Sequence, residues 1–497
     1  MKLSEAGLLD RALWEEKGYE LPSYDRNEIK ENTRKNPKWL HFGAGNIFRA
    51  FQANVVEKLL NEKILSEGLI VAEGYDYEII DKYNRVCDDY SILATLKVDG
   101  EVDKKIIGSI VESHKLDEED LEEMSRLREI FSAKSLSMIS FTITEKGYKT
   151  RAYMDKVVDL LYTRFKSGAY PLSIVSMDNC SHNGDKLKEA VLLIAKEWCE
   201  EGKVEAGFVD YLSDPERIAF PLTMIDKITP RPDNAVRDIL AKDGVEGLEP
   251  IITSKNTIIS SFVNAEETEY LVIEDLFPNG RLPLDKAGVI FTDRETVEKV
   301  ERMKVCTCLN PLHTALAVLG CLLKYDKICD EMKDEDLKNL VVKLGDEGMK
   351  VVTNPGIFSA REFLDTVLKK RLPNPYMPDT PQRIACDTSQ KLSIRFGETI
   401  KEYIKDPDLK LEDLKIIPVV LAAYLRYLDG VDDFGEEFEQ SPDPLLSELK
   451  ELDKKELLKR EDVFGINLIN TSLAPIILET YEKMKPTGSI RKILKEI

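Results

Sequence analysis

The stretch from Glu301 to Thr314, ERMKVCTCLNPLHT, gathers side chains suited to chemistry. It holds a lysine (Lys304), an amide (Asn310) and His313, one of only four histidines in the chain. A lysine amine serves as a general base when burial or a nearby cation lowers its pKa. An asparagine amide can donate to a carbonyl oxygen that gains negative charge. A histidine can orient a hydroxyl. Together these groups suit proton transfer at an alcohol. The residues that follow, ALAVLGCLL, are apolar and predict a buried helix, so the polar group stands at the entry to a core element. Polar groups placed there are costly unless paired. The stretch equally fits a plain helix entry, with Asn310 as N-cap, Pro311 at the first helical position and a satisfied histidine.

Two further clusters stand at predicted strand ends. Asp178-Asn179-Cys180-Ser181-His182-Asn183-Gly184 follows the apolar run Leu172 to Met177. Open α/β sheets place ligands at the carboxyl ends of their strands, which makes Asn179 a reasonable carbonyl-polarising donor; an Asx-turn into the next helix is the alternative. Gly43-Ala44-Gly45-Asn46-Ile47-Phe48-Arg49 follows the short strand Trp39 to Phe42 and precedes a helical pattern. Two glycines there give a tight turn and let backbone approach a pyrophosphate at a helix N-terminus. The pattern departs from G-x-G-x-x-G because Phe48 holds the third glycine position. A second strand, Leu69 to Ala72, ends in Glu73. A carboxylate there can accept both ribose hydroxyls and would repel a 2′-phosphate, favouring NAD over NADP. Asp76 is the competing acid, and either residue also fits a solvated turn.

These sites need positioning elements. Tyr90 to Asp99 and Lys105 to Val111 alternate like antiparallel strands. Leu136 to Ile143 and Leu172 to Met177 are continuous apolar runs, as in buried parallel strands. Tyr270 to Ile273 and Gly288 to Phe291 are further strand candidates. After Asp293 the pattern is helical almost to the end. The expected architecture is α/β: a Rossmann-type dinucleotide-binding domain with extra strands and an N-terminal arm over residues 1–290, then an all-α domain over 291–497. The acidic DDFGEEFE segment reads as a solvated loop.

Composition narrows the function classes. The chain has 497 residues, 43% hydrophobic and 32% charged, which suits a globular protein of more than one domain. A net charge of −21 argues against nucleic-acid binding, and requires a local cationic pocket for any anionic substrate. The eight cysteines lack paired spacing, and C-x-C at Cys306 and Cys308 is weak as a zinc site. The charged N-terminus lacks a signal-peptide core, and no run approaches the roughly 18 apolar residues of a membrane span. A cytoplasmic protein with reduced thiols and no membrane partner is expected.

GAGNIFRAFQA, SFTITEKGY, SMDNCSHNG, FPLTMIDKITP, YLVIEDLFPNGRLP, ERMKVCTCLNPLHT and RIACDTSQK resemble, in this order, the blocks of the polyol-specific long-chain dehydrogenases. The resemblance spans roughly residues 38–430. It implies a metal-independent, NAD(P)-linked oxidoreductase with a Rossmann-type domain, a helical domain and an active site between them. By position, it makes Lys304 the general acid and base, Asn179 and Asn310 the oxyanion-type donors, and His313 a contact to substrate hydroxyls. Arg383 and Lys391 match the pair that binds the polyol chain, and Glu301 matches a glutamate linked to proton passage. Gly43, Gly45, Asn46, Ile47, Phe48, Arg49, Glu73, Asp76 and Glu145 form the expected NAD-binding set.

Two departures stand out. The family spacing is K-x4-N-x2-H, whereas five residues separate Lys304 from Asn310. One residue turns a helical side chain by about 100°. Lys304 therefore aligns only if the segment starts irregularly or contains a π-bulge. The longer spacing also motivates a second class of reading, a catalytically silent NAD-binding relative. The other departure is Lys227, which stands where the family has arginine and lacks its bidentate fork. The arm ALWEEKGYELPSYDR and the NPLH variant resemble the uronate-reductase branch. The expected reaction is interconversion of D-fructuronate and D-mannonate, with tagaturonate reduction and mannitol oxidation as alternatives. A sugar acid or polyol is the expected small-molecule partner, and a monomer the expected state.

Overall fold

The computed structural model describes residues 1–497. The chain forms two compact units, one of residues 1–97 and 101–297, the other of 98–100 and 298–497.

The first unit is built on six parallel strands: β1 (Trp39–Phe42), β2 (Leu69–Glu73), β3 (Ile110–Lys115), β4 (Met138–Phe141), β5 (Leu172–Ser176) and β6 (Ile218–Ala219). Their order is β3-β2-β1-β4-β5-β6. This is the doubly wound dinucleotide-binding order, in which the chain reverses direction beside β1 and opens a crevice at the strand ends. All of β1, β2, β4 and β5 is buried, as continuous apolar strands with helices on both faces should be. Leu40, Phe42, Ile70, Ile139, Phe141 and Ile174 form the centre of that core with helix residues such as Leu127, Val157 and Leu187.

The extra strands form separate sheets. Ser91–Leu96 pairs antiparallel with Val102–Ile107, and also runs parallel to Phe262–Glu266. Thr223–Asp226, Tyr270–Glu274 and Ile290–Thr292 make a three-stranded sheet. The single strand expected over Lys105 to Val111 is in fact two. The chain breaks at Gly108 and Ser109, and Ile110–Lys115 crosses to the Rossmann sheet as β3. Polar side chains fix this break: the buried Glu57 carboxylate accepts from Gly108 N–H at 2.8 Å, and the Arg26 guanidinium donates to the carbonyls of Gly108 and Ile110.

The second unit is helical. Its central helices, Asn310–Leu323 and Ile416–Leu428, are almost wholly buried. The helical run Arg294–Leu323 meets the length and hydropathy of a membrane span, contrary to the expectation from the sequence, but its apolar window is 83% buried within the protein. It serves as a core helix. The acidic loop is also not simply solvated. Asp432 and Asp433 are buried; Asp433 accepts from Ile490 N–H and thereby caps the last helix, Ser489–Glu496.

Candidate active site

In the first unit, β1 feeds the glycine turn. Gly43 has φ +108°, and a Cβ there would lie 2.5 Å from the carbonyl oxygen of Thr142, so only glycine fits. Gly45 faces open space: a Cβ would meet no atom within 4 Å. That free approach to backbone is what a pyrophosphate needs. The turn's larger side chains point inward. Phe48 is fully buried and stacks on His41 of β1 at 4.3 Å, which explains how a phenylalanine replaces the third glycine. Arg49 donates to Ser260 O and to Asn46 Oδ1, both at 2.8 Å, and lies 4.3 Å over the Tyr83 ring. Phe48 and Arg49 can thus contribute to phosphate binding only through their backbone.

Glu73, expected to meet a ribose, is 6% exposed. Its carboxylate accepts from the backbone N–H of Ala44 and Tyr75, each at 2.8 Å, and of Asp76 at 3.1 Å. Burial raises its pKa, and these amides oppose the rise. Glu73 therefore ties the glycine turn to the end of β2. Asp76 is also buried, and accepts from Thr253 Oγ1 at 2.6 Å.

A cleft of about 360 Å³ opens at the ends of β1, β4 and β5, lined by Ile47, Thr144, Glu145, Asn179 and Lys227 among others. Its floor is fixed by Asp178, which accepts from the N–H of Ile143 at 3.1 Å and of Thr144 at 2.8 Å, and from the Tyr148 hydroxyl. Burial raises the pKa of Asp178, against these donors. Asn183 closes the turn by donating to Asp178 O at 2.9 Å and Thr223 Oγ1 at 2.8 Å. Asn179 is left exposed at the mouth. Glu145 ion-pairs with Lys186 at 3.3 Å and Lys149 at 3.5 Å. Lys227 donates to Glu266 O at 2.7 Å and to Glu269 at 3.0 Å.

In the second unit, Lys304 is 5% exposed and begins a π turn, Lys304–Cys308. The turn holds one residue more than an α-helix does, which is the irregularity that the longer spacing requires. Its Cys306 carbonyl accepts from Thr399 Oγ1 at 3.4 Å. Half-buried Glu301 lies one turn earlier on the helix Arg294–Met303. The N-cap position belongs to Leu309, not Asn310, and no side chain caps the helix. The amide of Asn310 is thus not spent on capping.

His313 sits among cations. Its pKa is pushed down to about 3, by burial first and then by Arg395, Arg371, Arg383 and Lys391. Nε2 of His313 lies 3.3 Å from Asp379 Oδ2, and Arg383 forms an ion pair with the same carboxylate. Lys391 donates to Ile384 O at 3.3 Å and also to Cys386 O; burial, then Arg395, lowers its pKa. Burial lowers Arg395 to about 10, and its guanidinium donates to Thr314 Oγ1. Arg383 and Lys391 were expected near His313. Arg371 and Arg395 were not, although Arg395 follows Lys391 by four residues, the spacing of one helical face.

Residues 37–286 match the mannitol dehydrogenase Rossmann domain, and residues 296–485 the mannitol dehydrogenase C-terminal domain. A D-mannonate oxidoreductase of Thermotoga maritima is 48% identical, the match covering 100% of this chain and 99% of the relative. A polyol:NADP oxidoreductase of Gluconobacter oxydans is 28% identical over 96% of this chain and 95% of its own. Two solved structures share the fold. A substrate-free D-sorbitol dehydrogenase has a TM-score of 0.79 at 22% identity, covering 99% of each chain. The mannitol 2-dehydrogenase of Pseudomonas fluorescens, a ternary complex with NAD and D-mannitol, has a TM-score of 0.71 at 24% identity over 100% of each chain. With both domain profiles and a full-length relative matched, the chain belongs to the mannitol dehydrogenase family.

Proposed function

We propose that this protein is an NAD-dependent oxidoreductase that interconverts a keto-hexuronate and an aldonate, D-fructuronate and D-mannonate. The observation that carries this reading is the group of four cations that His313 senses, Arg371, Arg383, Lys391 and Arg395. Arg383 and Lys391 match the pair that holds a neutral polyol, but Arg371 and Arg395 add two guanidinium groups, and guanidinium forks bind a uronate carboxylate best. They also supply the local positive field that an anion needs in a chain of net charge −21. The name of the Thermotoga maritima relative supports the same substrate.

The open approach at Gly45 and the Rossmann strand order fit a dinucleotide, held by the backbone of Gly43 to Arg49 with Asn46 and Ile47 at the helix start. The acids Glu73 and Asp76 at the end of β2 favour NAD, and Glu145 lines the adjoining cleft. When bound, reduced nicotinamide supplies the hydride. Lys304 gives its ammonium proton to the oxygen that becomes the alcohol, and takes it back in the reverse direction. Asn310 donates to that oxygen as its charge grows, the role that the family resemblance also gives Asn179. His313 orients a substrate hydroxyl, Arg383 and Lys391 hold the chain of the sugar acid, and Glu301 passes protons to and from Lys304. The working unit is a monomer in the cytoplasm.

Tagaturonate reductase is the second reading, because the same cations suit either epimer. The silent relative loses its motive, since the π turn at Lys304 absorbs the additional residue. Initial rates of NADH oxidation with fructuronate, tagaturonate and fructose test the proposal. Fastest turnover of fructuronate is expected. Preference for fructose would overturn the uronate assignment, and no turnover alongside NADH binding would favour the silent relative.

A further inference from the structure

Asp379 is not among the residues that the resemblance assigns to the site, yet it touches two that are. One carboxylate oxygen pairs with Arg383, and the other lies 3.3 Å from Nε2 of His313. The residue is 7% exposed. It is held from several sides: its carbonyl accepts from Ile328 N–H at 2.9 Å, and the next residue, Thr380, caps the short helix Pro381–Ile384 by accepting from Arg383 N–H at 3.2 Å. These contacts fix the backbone, and the ion pair with Arg383 holds the carboxylate itself.

We infer that Asp379 is a positioning residue that fixes the tautomer of His313, with the proton on Nε2, so that Nδ1 is presented as an acceptor to a substrate hydroxyl. The inference rests on the reading that His313 and Arg383 bind substrate. The physical reason is local. Nε2 is buried and has no hydrogen-bond partner in this structure, the Asp379 oxygen being the charged atom beside it. An unprotonated Nε2 is repelled by a carboxylate oxygen 3.3 Å away, whereas an N–H at that position is attracted to it. Of the charged groups around the ring, Arg371, Arg383, Lys391 and Arg395 are cations, and together with burial they keep the imidazole neutral. A neutral ring carries one proton, so placing it on Nε2 leaves Nδ1 as acceptor. Carboxylates behind histidines do the same in other sites, by orienting the ring and selecting its tautomer. The shared anion also couples the two substrate contacts, since moving Arg383 moves the group that His313 faces.

The test uses the full-length enzyme labelled with ¹⁵N-histidine. Only four histidines are present, and His313→Gln assigns the resonance. The wild-type ring without substrate should show a protonated Nε2 and an unprotonated Nδ1. Asp379→Leu should give a mixture of tautomers, and Asp379→Asn, which retains a carbonyl acceptor, should keep the Nε2–H form. In kinetics, Asp379→Leu should raise KM for the uronate by roughly tenfold or more, with Asp379→Asn intermediate because only the Arg383 ion pair is lost. A wild-type His313 protonated on Nδ1 would overturn the inference, as would ring shifts that are the same in Asp379→Leu. The wild-type spectrum needs no folded Asp379 variant. It also needs no turnover, so its outcome is separate from that of the substrate assay.

Discussion

The carbonyl of Lys304 accepts from the N–H of Leu309, five residues later, at 3.1 Å. An α-helix would close that bond four residues on. The wider turn takes up the residue that lengthens the Lys304 to Asn310 spacing. In an unbroken α-helix the added residue would rotate Lys304 by about 100° away from the face shared by Asn310 and His313. The π turn is therefore a condition for Lys304 acting with those two groups.

The two glycines of the nucleotide turn should separate folding from binding. Gly43→Ala places a methyl 2.5 Å from Thr142 O at φ +108° and should destabilise the fold by more than about 1 kcal/mol. Gly45→Ala enters open space, so thermal unfolding should match wild type, while Kd for NADH rises about tenfold or more. Thermal melts paired with NADH titrations check both.

Glu73→Ser should weaken NADH more than NADPH, because it removes the acid at the end of β2 and frees the amides of Ala44, Tyr75 and Asp76. Titration of each variant with both cofactors measures this. An unchanged ratio would move the ribose contact to Asp76.

Arg395→Met should raise KM for fructuronate by roughly ten- to a hundredfold, the loss expected for one charged hydrogen bond to a carboxylate. KM for fructose, which lacks the carboxylate, should change by no more than about threefold. Equal losses with both substrates would remove Arg395 from carboxylate recognition.

Acid should destabilise the first unit through His41. Burial pushes its pKa down to about 3, with Nδ1 at 2.6 Å from Ser140 Oγ and Nε2 at 2.8 Å from Thr142 Oγ1. Below the ordinary value of 6.5 the unfolded chain binds a proton that the folded chain refuses. This contribution is full above pH 6.5 and is lost as pH falls toward 3, by about 1.4 kcal/mol per pH unit. Urea unfolding across that window should show a shallower acid decline for His41→Gln.

Much of this was legible in the sequence where the signal was local. Continuous apolar runs marked β4 and β5, short strand patterns marked β1 and β2, and two glycines marked the turn. Signals that depend on distant partners were not legible. The break at Gly108 is set by Glu57 and Arg26, 51 and 82 residues away in sequence. Asp433 looked like a solvated acid, and becomes structural only once the last helix reaches it. Arg371 and Arg395 stand in no motif of the sequence, and only the fold places them among the cations that act on His313. The π turn was legible only as a conflict in spacing, because hydrogen-bond register leaves no composition signal.

The most direct test of the proposed chemistry is kcat for fructuronate reduction by Lys304→Ala. Loss of the general acid should lower kcat by roughly a hundred- to ten-thousandfold, while Kd for NADH changes little. A rate near that of wild type would place the proton donor elsewhere and contradict the mechanism.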